Sequence, residues 1–220
     1  MTNEAGADAV ILVLAGVNGA GKSSVGGASL RALDVEYFNP DQAAKRVLET
    51  NQSASLDEAN AQAWQAGKLR LERAIETRSS FSFETTLGGN TFPRLLREAA
   101  EAGLKVVIWF VGLSTPEQHI ARVRARVASG GHDIPEEMIR QRWDSSRLNI
   151  IALMPFLHEL RVFDNSHEGN PLAGTIPPPR ELLYWRDGAI VSPDADTLAA
   201  TPEWAKPILA RALKLQRAAK

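Results

Sequence analysis

The sequence predicts a single α/β domain with a mainly parallel central sheet, helices on both faces, and a C-terminal β-hairpin and helix. Short apolar runs alternate with helix-forming segments through residue 163 of the 220-residue chain, as in sheets built from strand–helix–strand units. The run at 9–15 is apolar throughout, which is typical of a strand buried on both faces. The chain is 44% hydrophobic and long enough to bury one sizeable core.

Local signals define the elements in order. Ser55-Leu-Asp-Glu58 is a capping box, and Thr115-Pro-Glu-Gln118 combines an N-cap with a first-turn Pro. Asn39-Pro-Asp41 predicts a turn into a helix. The predicted strands are 9–15, 35–38, 80–83, 104–111 and 161–163. Helices are predicted over 55–77, 91–102 and 115–128, and further helices are predicted to begin at Lys22, after Asn39-Pro40 and at Pro135.

The C-terminal part predicts a hairpin and a basic helix. Residues 182–185 and 189–191 flank the turn Arg186-Asp187-Gly188, and Thr201-Pro202 is expected to cap the last helix. The predicted organisation is one domain over 1–220, with a flexible tail at 1–8 and a C-terminal extension at 167–220.

The composition excludes several kinds of site. The chain has no Cys, which removes disulfides, zinc–thiolate sites, iron–sulfur clusters and thiol nucleophiles. Its 25 basic and 26 acidic residues provide no global attraction to nucleic acid or to an acidic membrane. No export signal or membrane span is visible, so the expected compartment is the cytoplasm. Six of the 18 Arg lie between 122 and 147, a segment without Lys.

A phosphate-binding motif follows the first predicted strand. Residues 16–23, Gly-Val-Asn-Gly-Ala-Gly-Lys-Ser, match the P-loop pattern G-x-x-x-x-G-K-[ST] between a buried strand and a helix start. In this pattern backbone N–H groups surround phosphate oxygens, the Lys reaches the β- and γ-phosphates, and the Ser hydroxyl ligates Mg²⁺. We therefore expect Mg·ATP, with Ser23 as the Mg²⁺ ligand. The residues expected to bind ATP are Gly16, Asn18, Gly19, Ala20, Gly21, Lys22, Ser23 and Ser24.

Acidic side chains follow two of the other predicted strands. Asp41 follows the second strand and Glu84 the third, whereas the strand at 104–111 ends without an acid. Carboxylates at strand ends beside a phosphate site suit a kinase that deprotonates a hydroxyl and holds its acceptor. From the residues alone, a role for Asp41 as a helix N-cap remains an open alternative.

Five blocks between about residue 10 and residue 166 resemble the zeta-toxin-like P-loop kinases, in particular their short stand-alone bacterial members. The blocks are 15–24, Phe-Asn-Pro-Asp at 38–41, Phe-Ser-Phe-Glu-Thr-Thr-Leu at 81–87, Arg-Val-Ala-Ser-Gly-Gly-His-Asp-Ile-Pro at 126–135 and Phe-Asp-Asn-Ser at 163–166. The resemblance implies phosphoryl transfer from ATP to a small hydroxyl-bearing acceptor. In toxin members this acceptor is the 3′-hydroxyl of the sugar in UDP-N-acetylglucosamine, and an antitoxin protein is a partner; stand-alone members need not have one.

The resemblance also implies residue roles. Asp41 matches the general base, and Arg126 matches an Arg that reaches the transferring phosphate, next to a lid at 129–134. His132 stands where longer toxins carry a second lid Arg, and it is expected to act in catalysis by donating a hydrogen bond from the lid. Arg140 or Arg142 are the alternative sources of the second charge. The residues expected to bind the acceptor are Asn39, Glu84, Thr85, Thr86 and Arg122, and Asn165 is expected near the adenine.

The sequence predicts a kinase that phosphorylates a small hydroxyl acceptor, with a nucleotide sugar as the first expectation. A nucleoside, sugar or dinucleotide acceptor is one alternative, and a non-catalytic NTP-dependent binding module is another. The five Trp residues are interpreted as packing residues, and His119, His158 and His167 show no ligand-like spacing. Neither nucleic acid nor a membrane is an expected partner.

Overall fold

The computed structural model describes residues 9–26, 37–167, 177–194 and 198–218, and confirms the predicted α/β architecture. The described strands are β1 Val10–Ala15, β2 Tyr37–Phe38, β3 Phe81–Thr85, β4 Lys105–Gly112, β5 Glu159–Asp164, β6 Arg180–Arg186 and β7 Ala189–Ser192. The described helices are α1 Lys22–Gly26, α2 Pro40–Thr50, α3 Leu56–Thr77, α4 Thr91–Glu101, α5 Pro116–Ala128, α6 Glu136–Leu153 and α7 Lys206–Ala218.

The described strands form one sheet in the order β2-β3-β1-β4-β5-β6-β7. The pairs from β2 to β5 are parallel, and β6 and β7 join as an antiparallel hairpin. From β1 the chain continues to β2 at one edge of the sheet, and from β3 it continues to β4 in the opposite direction along the strand order. This reversal opens a crevice at the carboxyl ends of β1 and β3, where ligands bind in open α/β sheets.

The first strand is buried on both faces, which explains its continuous apolar sequence. Ile11 and Val13 belong to the main core, whereas Leu12 and Leu14 pack in a second cluster on the opposite face. All four side chains are at most 5% exposed. Such burial fixes β1, and with it the loop that follows, at the centre of the molecule.

The C-terminal hairpin and helix share the main core with the central strands. Trp185 of β6 and Ile208 of α7 belong to the same buried cluster as Ile11. Trp204 packs so closely on β4 that a Cβ atom at Gly112 would lie 2.4 Å from its ring. The hairpin is therefore a continuation of the sheet.

Several predicted boundaries are wrong: β5 and β6 each begin two residues earlier than expected, at Glu159 and Arg180. The third strand was expected to end before Glu84, but β3 continues to Thr85 because β1 pairs with it through Ala15. The last helix begins at Lys206 because Pro207 has no N–H to bond back to Glu203, and residues 202–206 form i→i+3 turns instead of a helix. The predicted tail at 1–8, and residues 35–36 of the second predicted strand, lie outside the described residues.

Helix capping follows the sequence signals closely. The Ser55 hydroxyl accepts from the Glu58 N–H at 3.2 Å, and the Glu58 carboxylate accepts from the Ser55 N–H at 2.8 Å. The side chain of Asn39 accepts from the Gln42 N–H at 3.0 Å and caps α2. The alternative of Asp41 as the N-cap is thus wrong. Among the described residues, no helix is both long and apolar enough to cross a membrane.

Candidate active site

The P-loop and the end of β3 meet at the crevice between β1 and β3. The Gly16 N–H donates to the Thr85 carbonyl at 3.2 Å, which joins the start of the loop to the last residue of β3. Glu84 precedes Thr85 on the strand, and Lys22 opens α1 at the other end of the loop. The topology therefore brings the phosphate motif and one predicted carboxylate to the same sheet edge.

The conformation of the loop depends on two glycines in the left-handed region. Gly19 has a φ of +80°, and a Cβ atom there would lie 2.7 Å from the His119 carbonyl oxygen. Gly21 has a φ of +82°, and a Cβ atom there would lie 2.3 Å from Nδ2 of Asn165. Larger residues would meet both steric overlap and backbone strain. The loop thus has the tightly wound form that a phosphate cradle requires, and it fits a triphosphate.

Asn165 and Arg122 support the loop from the side of β5 and α5. Asn165 is buried, and its Nδ2 donates to the Ala20 carbonyl at 2.9 Å. The Arg122 guanidinium donates to the Asn165 carbonyl at 2.7 Å. Arg122 is not among the described residues that line the cleft in front of the P-loop. The structure therefore brings Asn165 and Arg122 to the nucleotide loop.

His119 lies directly beneath the loop, a contact that the sequence reasoning missed. Its ring is fully buried, and Nδ1 donates to the Asn18 carbonyl at 2.9 Å. Within the described part of the chain, Nε2 is buried without a hydrogen-bond partner. Burial lowers the pKa of His119 to about 4, although the bond to Asn18 acts in the opposite direction. The available signal was helical spacing, because His119, Arg122 and Arg126 are three and four residues apart on α5.

Burial of neutral His119 predicts a pH-dependent stability. The unfolded chain takes up this proton near pH 6.5, whereas the folded chain takes it up only near pH 4. The unfolding free energy is therefore expected to fall by about 3 kcal/mol as the pH decreases from about 6.5 to about 4. In His119→Gln this part of the decrease should be lost, whereas the exposed control His167→Gln should keep it. Urea unfolding at a series of pH values measures both; equal pH slopes in wild type and His119→Gln would contradict the prediction.

Charged groups of both signs surround the P-loop lysine. The Lys22 ammonium donates to the Gly16 carbonyl at 3.0 Å. Burial lowers the pKa of Lys22, while the carboxylates of Glu84 and Asp41 act to raise it. Arg126 and Arg142 lie near enough to add to the lowering. Two carboxylates and two further cations therefore lie near Lys22.

The two predicted carboxylates are held differently. Asp41 stands in the first turn of α2 with its side chain 57% exposed, and its Oδ2 lies 4.0 Å from Nη1 of Arg126. Glu84 accepts a hydrogen bond from the Tyr37 hydroxyl of β2. Burial and this bond raise the pKa of the Tyr37 hydroxyl, so it remains a donor to Glu84. Asp41 is thus accessible to a bound molecule, whereas Glu84 is oriented by its neighbour.

Arg126 and the predicted lid segment contact each other. Nη2 of Arg126 donates to the His132 carbonyl at 3.1 Å, and Gly131 lies against the Arg126 side chain, where a Cβ atom would come within 2.7 Å of Cγ. Among the described residues, Nε of Arg126 is buried without a partner. Asp41, Arg126 and His132 also line one cavity, next to the cleft in front of the P-loop. These three predicted site residues are therefore brought together.

The structure separates Arg142 from Arg140. Nη1 of Arg142 donates to the Asn18 side-chain oxygen of the P-loop at 2.8 Å, and its aliphatic part covers Gly88. Arg140 instead pairs with Glu117 at 2.6 Å on the surface. The spacing of polar residues on α6 is a signal that could have distinguished Arg142 from Arg140, because Ser145, Ser146 and Asn149 lie on the same helix face as Arg142. In the structure these three side chains donate to carbonyls of residues 86–89.

A cleft of about 370 Å³ opens in front of the P-loop, and we call it the acceptor cleft. Its polar lining includes Asn18, Asp41, Glu84, His132 and Arg142. Thr85 and Thr86 also line it, with their hydroxyls accepting from the N–H groups of Leu87 and Gly88. Asn39 contributes instead to the neighbouring cavity that contains Arg126.

Trp64 differs from the buried Trp residues, although it packs on Phe92. Its side chain is 43% exposed and lines the acceptor cleft. Trp185 and Trp204 are buried as expected.

Ser23 is the predicted Mg²⁺ ligand, and Ser24 is a predicted ATP-binding residue beside it. The side chains of Ser23 and Ser24 lie outside the described residues. No cluster of three or more His, Cys, Asp or Glu among the described residues could hold a metal ion by itself.

The fold and the loop define a P-loop domain of the NTPase type. Residues 11–148 match the AAA domain family AAA_33, and the chain belongs to this family. An uncharacterised protein of Haemophilus influenzae is 30% identical over 128 residues, which are 58% of this chain and 88% of that protein.

Solved structures share the fold at low sequence identity. The AvrRxo1-ORF1:AvrRxo1-ORF2 structure with sulphate ions has a TM-score of 0.65 and 15% identity, covering 96% of this chain and 75% of that chain. The corresponding structure with ATP has a TM-score of 0.62 and 16% identity, covering 96% and 77%. The PezAT chromosomal toxin-antitoxin system of Streptococcus pneumoniae gives a TM-score of 0.53 and 13% identity, covering 99% and 88%. At these identities the likeness shows the fold alone.

Proposed function

We propose that the protein is an ATP-dependent phosphotransferase that moves the γ-phosphoryl group to a hydroxyl of a small molecule bound in the acceptor cleft. The observation that carries this proposal is the arrangement of charged groups at the P-loop. Asp41 lies 4.0 Å from Arg126, and Arg142 contacts the loop through Asn18 in the cleft that Asp41 and Glu84 also line. All four side chains lie close enough to Lys22 to influence its pKa. Phosphoryl transfer requires such an arrangement, because a hydroxyl must be deprotonated while charge on the transferring group is neutralised.

The residues have distinct roles in the proposed reaction. The P-loop backbone and Lys22 hold the triphosphate, and Ser23 would hold Mg²⁺, which neutralises phosphate charge when bound. Asp41 orients the acceptor hydroxyl and accepts its proton as the new O–P bond forms and the bond from the γ-phosphorus to the β–γ bridging oxygen breaks, leaving ADP. Arg126 and Arg142 stabilise the charge of the group in transfer.

The acceptor side of the cleft supports a substrate with both a hydroxyl and polar substituents. Glu84, Thr85 and Thr86 line the cleft beside Asp41 and provide hydrogen-bonding groups. We propose a nucleotide sugar of the UDP-N-acetylglucosamine type as the first acceptor to test. A nucleoside, a simple sugar and a dinucleotide remain the other members of the test.

An inhibitory protein partner of the antitoxin type is a further part of the proposal. It is supported by two structural neighbours, which are described as the PezAT toxin-antitoxin system and as an AvrRxo1-ORF1:-ORF2 complex. A partner of this kind would block the acceptor cleft or the P-loop, and would therefore suppress transfer by the purified protein.

A panel of acceptors incubated with γ-labelled ATP and Mg²⁺ tests the proposed activity. We expect label in a phosphorylated acceptor, with UDP-N-acetylglucosamine, other UDP-sugars, nucleosides, simple sugars and dinucleotides compared in parallel. Label in an acceptor other than a nucleotide sugar would support the proposed kinase activity and identify a different substrate. Label found only in free phosphate with every acceptor would contradict a kinase and favour an NTP-dependent binding module.

A further inference from the structure

Part of the lining of the acceptor cleft is apolar, and we call this part the apolar wall. Leu56 and Trp64 of α3 and Met138 of α6 are among the large apolar side chains that are exposed in the described structure, and all three line this cleft. A bound molecule that covers these side chains removes apolar surface from water, which is favourable. The wall therefore suits a ligand with an apolar face.

The Trp64 ring is held in place although 43% of its surface is exposed. It meets Phe92 edge to face, with ring centroids 6.1 Å apart and an interplanar angle of 72°. Phe92 in turn packs on the buried Phe83 at 5.2 Å. A ring that is already fixed loses little conformational entropy when a ligand stacks on it.

Polar groups lie on the same face of α3 as Trp64. Asp57 and Asn60 line the cleft and precede Trp64 by seven and four residues, which places all three along one side of the helix. An amide both donates and accepts, and a carboxylate accepts from N–H groups. This pattern of an aromatic face with polar groups beside it matches a planar ring whose polar atoms are confined to its edge.

We infer that Trp64 determines specificity in this site: the base of the proposed nucleotide-type acceptor stacks on its ring while a hydroxyl of the same molecule lies at Asp41. This inference rests on the proposed function and deepens it. A sugar ring without a base would set hydroxyl groups against Leu56 and Met138 without hydrogen-bond partners, which is costly. The cleft volume of about 370 Å³ lies in the range of small-molecule sites, about 300–1,000 Å³. Trp64 is thus assigned as a specificity-determining residue.

Binding of simple probes tests the inference without requiring catalysis. The probes are UMP, AMP and glucose 1-phosphate, titrated calorimetrically into protein saturated with Mg²⁺ and the β,γ-imido analogue of ATP, so that the donor site is filled. We expect UMP or AMP to bind, and Trp64→Ala to weaken that binding by about 5- to 150-fold, the effect typical of losing one base–aromatic stack. Trp64→Phe should retain most of the affinity because the aromatic face remains.

A matched control is available on the same helix. Leu69 is a 54% exposed apolar residue of α3 that is not among the described residues lining the cleft, so Leu69→Ala should leave nucleotide binding unchanged. Trp64→Leu preserves apolar bulk without a ring and guards against a folding defect in Trp64→Ala, and thermal unfolding of each variant checks this directly.

Several results would overturn the inference. These are equal nucleotide affinities in wild type, Trp64→Ala and Trp64→Leu, tighter binding of glucose 1-phosphate than of both nucleotides, or no binding of either nucleotide. The proposed function fails separately: nucleotide binding that depends on Trp64 without phosphoryl transfer would retain the inference and remove the kinase. Phosphoryl transfer to an acceptor without a base, at equal rates in wild type and Trp64→Ala, would retain the kinase and overturn the inference.

Discussion

Asp41→Asn is expected to reduce phosphoryl transfer by about 10²- to 10⁴-fold while leaving ATP binding within about twofold of wild type. Asparagine is nearly isosteric with aspartate, but it cannot accept the proton of the acceptor hydroxyl. Asp41 is not the cap of α2, because Asn39 performs that role, so the helix should remain intact in the variant. Single-turnover transfer from γ-labelled ATP, together with calorimetric titration of the β,γ-imido analogue, measures the two effects separately.

The control for this variant is Asp144→Asn, which changes an exposed carboxylate that pairs with Arg147 on α6. Its transfer rate should equal that of wild type. A transfer rate in Asp41→Asn within tenfold of wild type would remove Asp41 from the role of general base. Loss of nucleotide binding in the same variant would instead assign Asp41 to the donor site.

Arg142→Gln is expected to lower the rate constant for transfer by about 10³-fold, the scale of an arginine that stabilises charge on a transferring phosphoryl group. Arg142 contacts the P-loop through Asn18 and also lines the acceptor cleft. Burial lowers its pKa while Asp41 acts against this lowering, but a guanidinium remains charged near neutral pH. The loss should therefore come from the missing charge.

Arg140→Gln is a closely matched control, because it makes the same change two residues earlier on the same helix. Arg140 pairs with Glu117 at an exposed site, and such pairs contribute about 0–1 kcal/mol to stability. Arg140→Gln should transfer phosphate at the wild-type rate and unfold at nearly the wild-type temperature. Equal rates for the two variants would show that the second cation of the site comes from elsewhere, with Arg126 then alone beside Lys22.

Features that depend on neighbouring residues in the chain were predictable. The P-loop pattern, the buried strand β1 and the helix caps at Ser55 and Thr115 are local, because each depends on residues within about one or two turns of the chain. Alternation of strands and helices then restricts the sheet to a mainly parallel arrangement, since parallel strands need crossover connections. The hairpin at β6 and β7 was predictable for the same local reason.

Boundaries were less predictable because tertiary contacts decide them. Pairing with Ala15 extends β3 to Thr85. This contact is not visible as a local pattern, because the partners are separated by about 70 residues in the sequence.

The sequence by itself identified the phosphate-binding loop and the candidate acids beside it, since the P-loop and the two strand-end acids are recognisable from residue type and spacing. Only the tertiary structure decided which of six clustered Arg approach the phosphate loop and which form surface pairs. It also brought His119 beneath Asn18, and it turned Trp64 toward the acceptor cleft. The physical reason is that a helix pattern shows which residues share a face, whereas the packing of that helix against the sheet decides what the face meets.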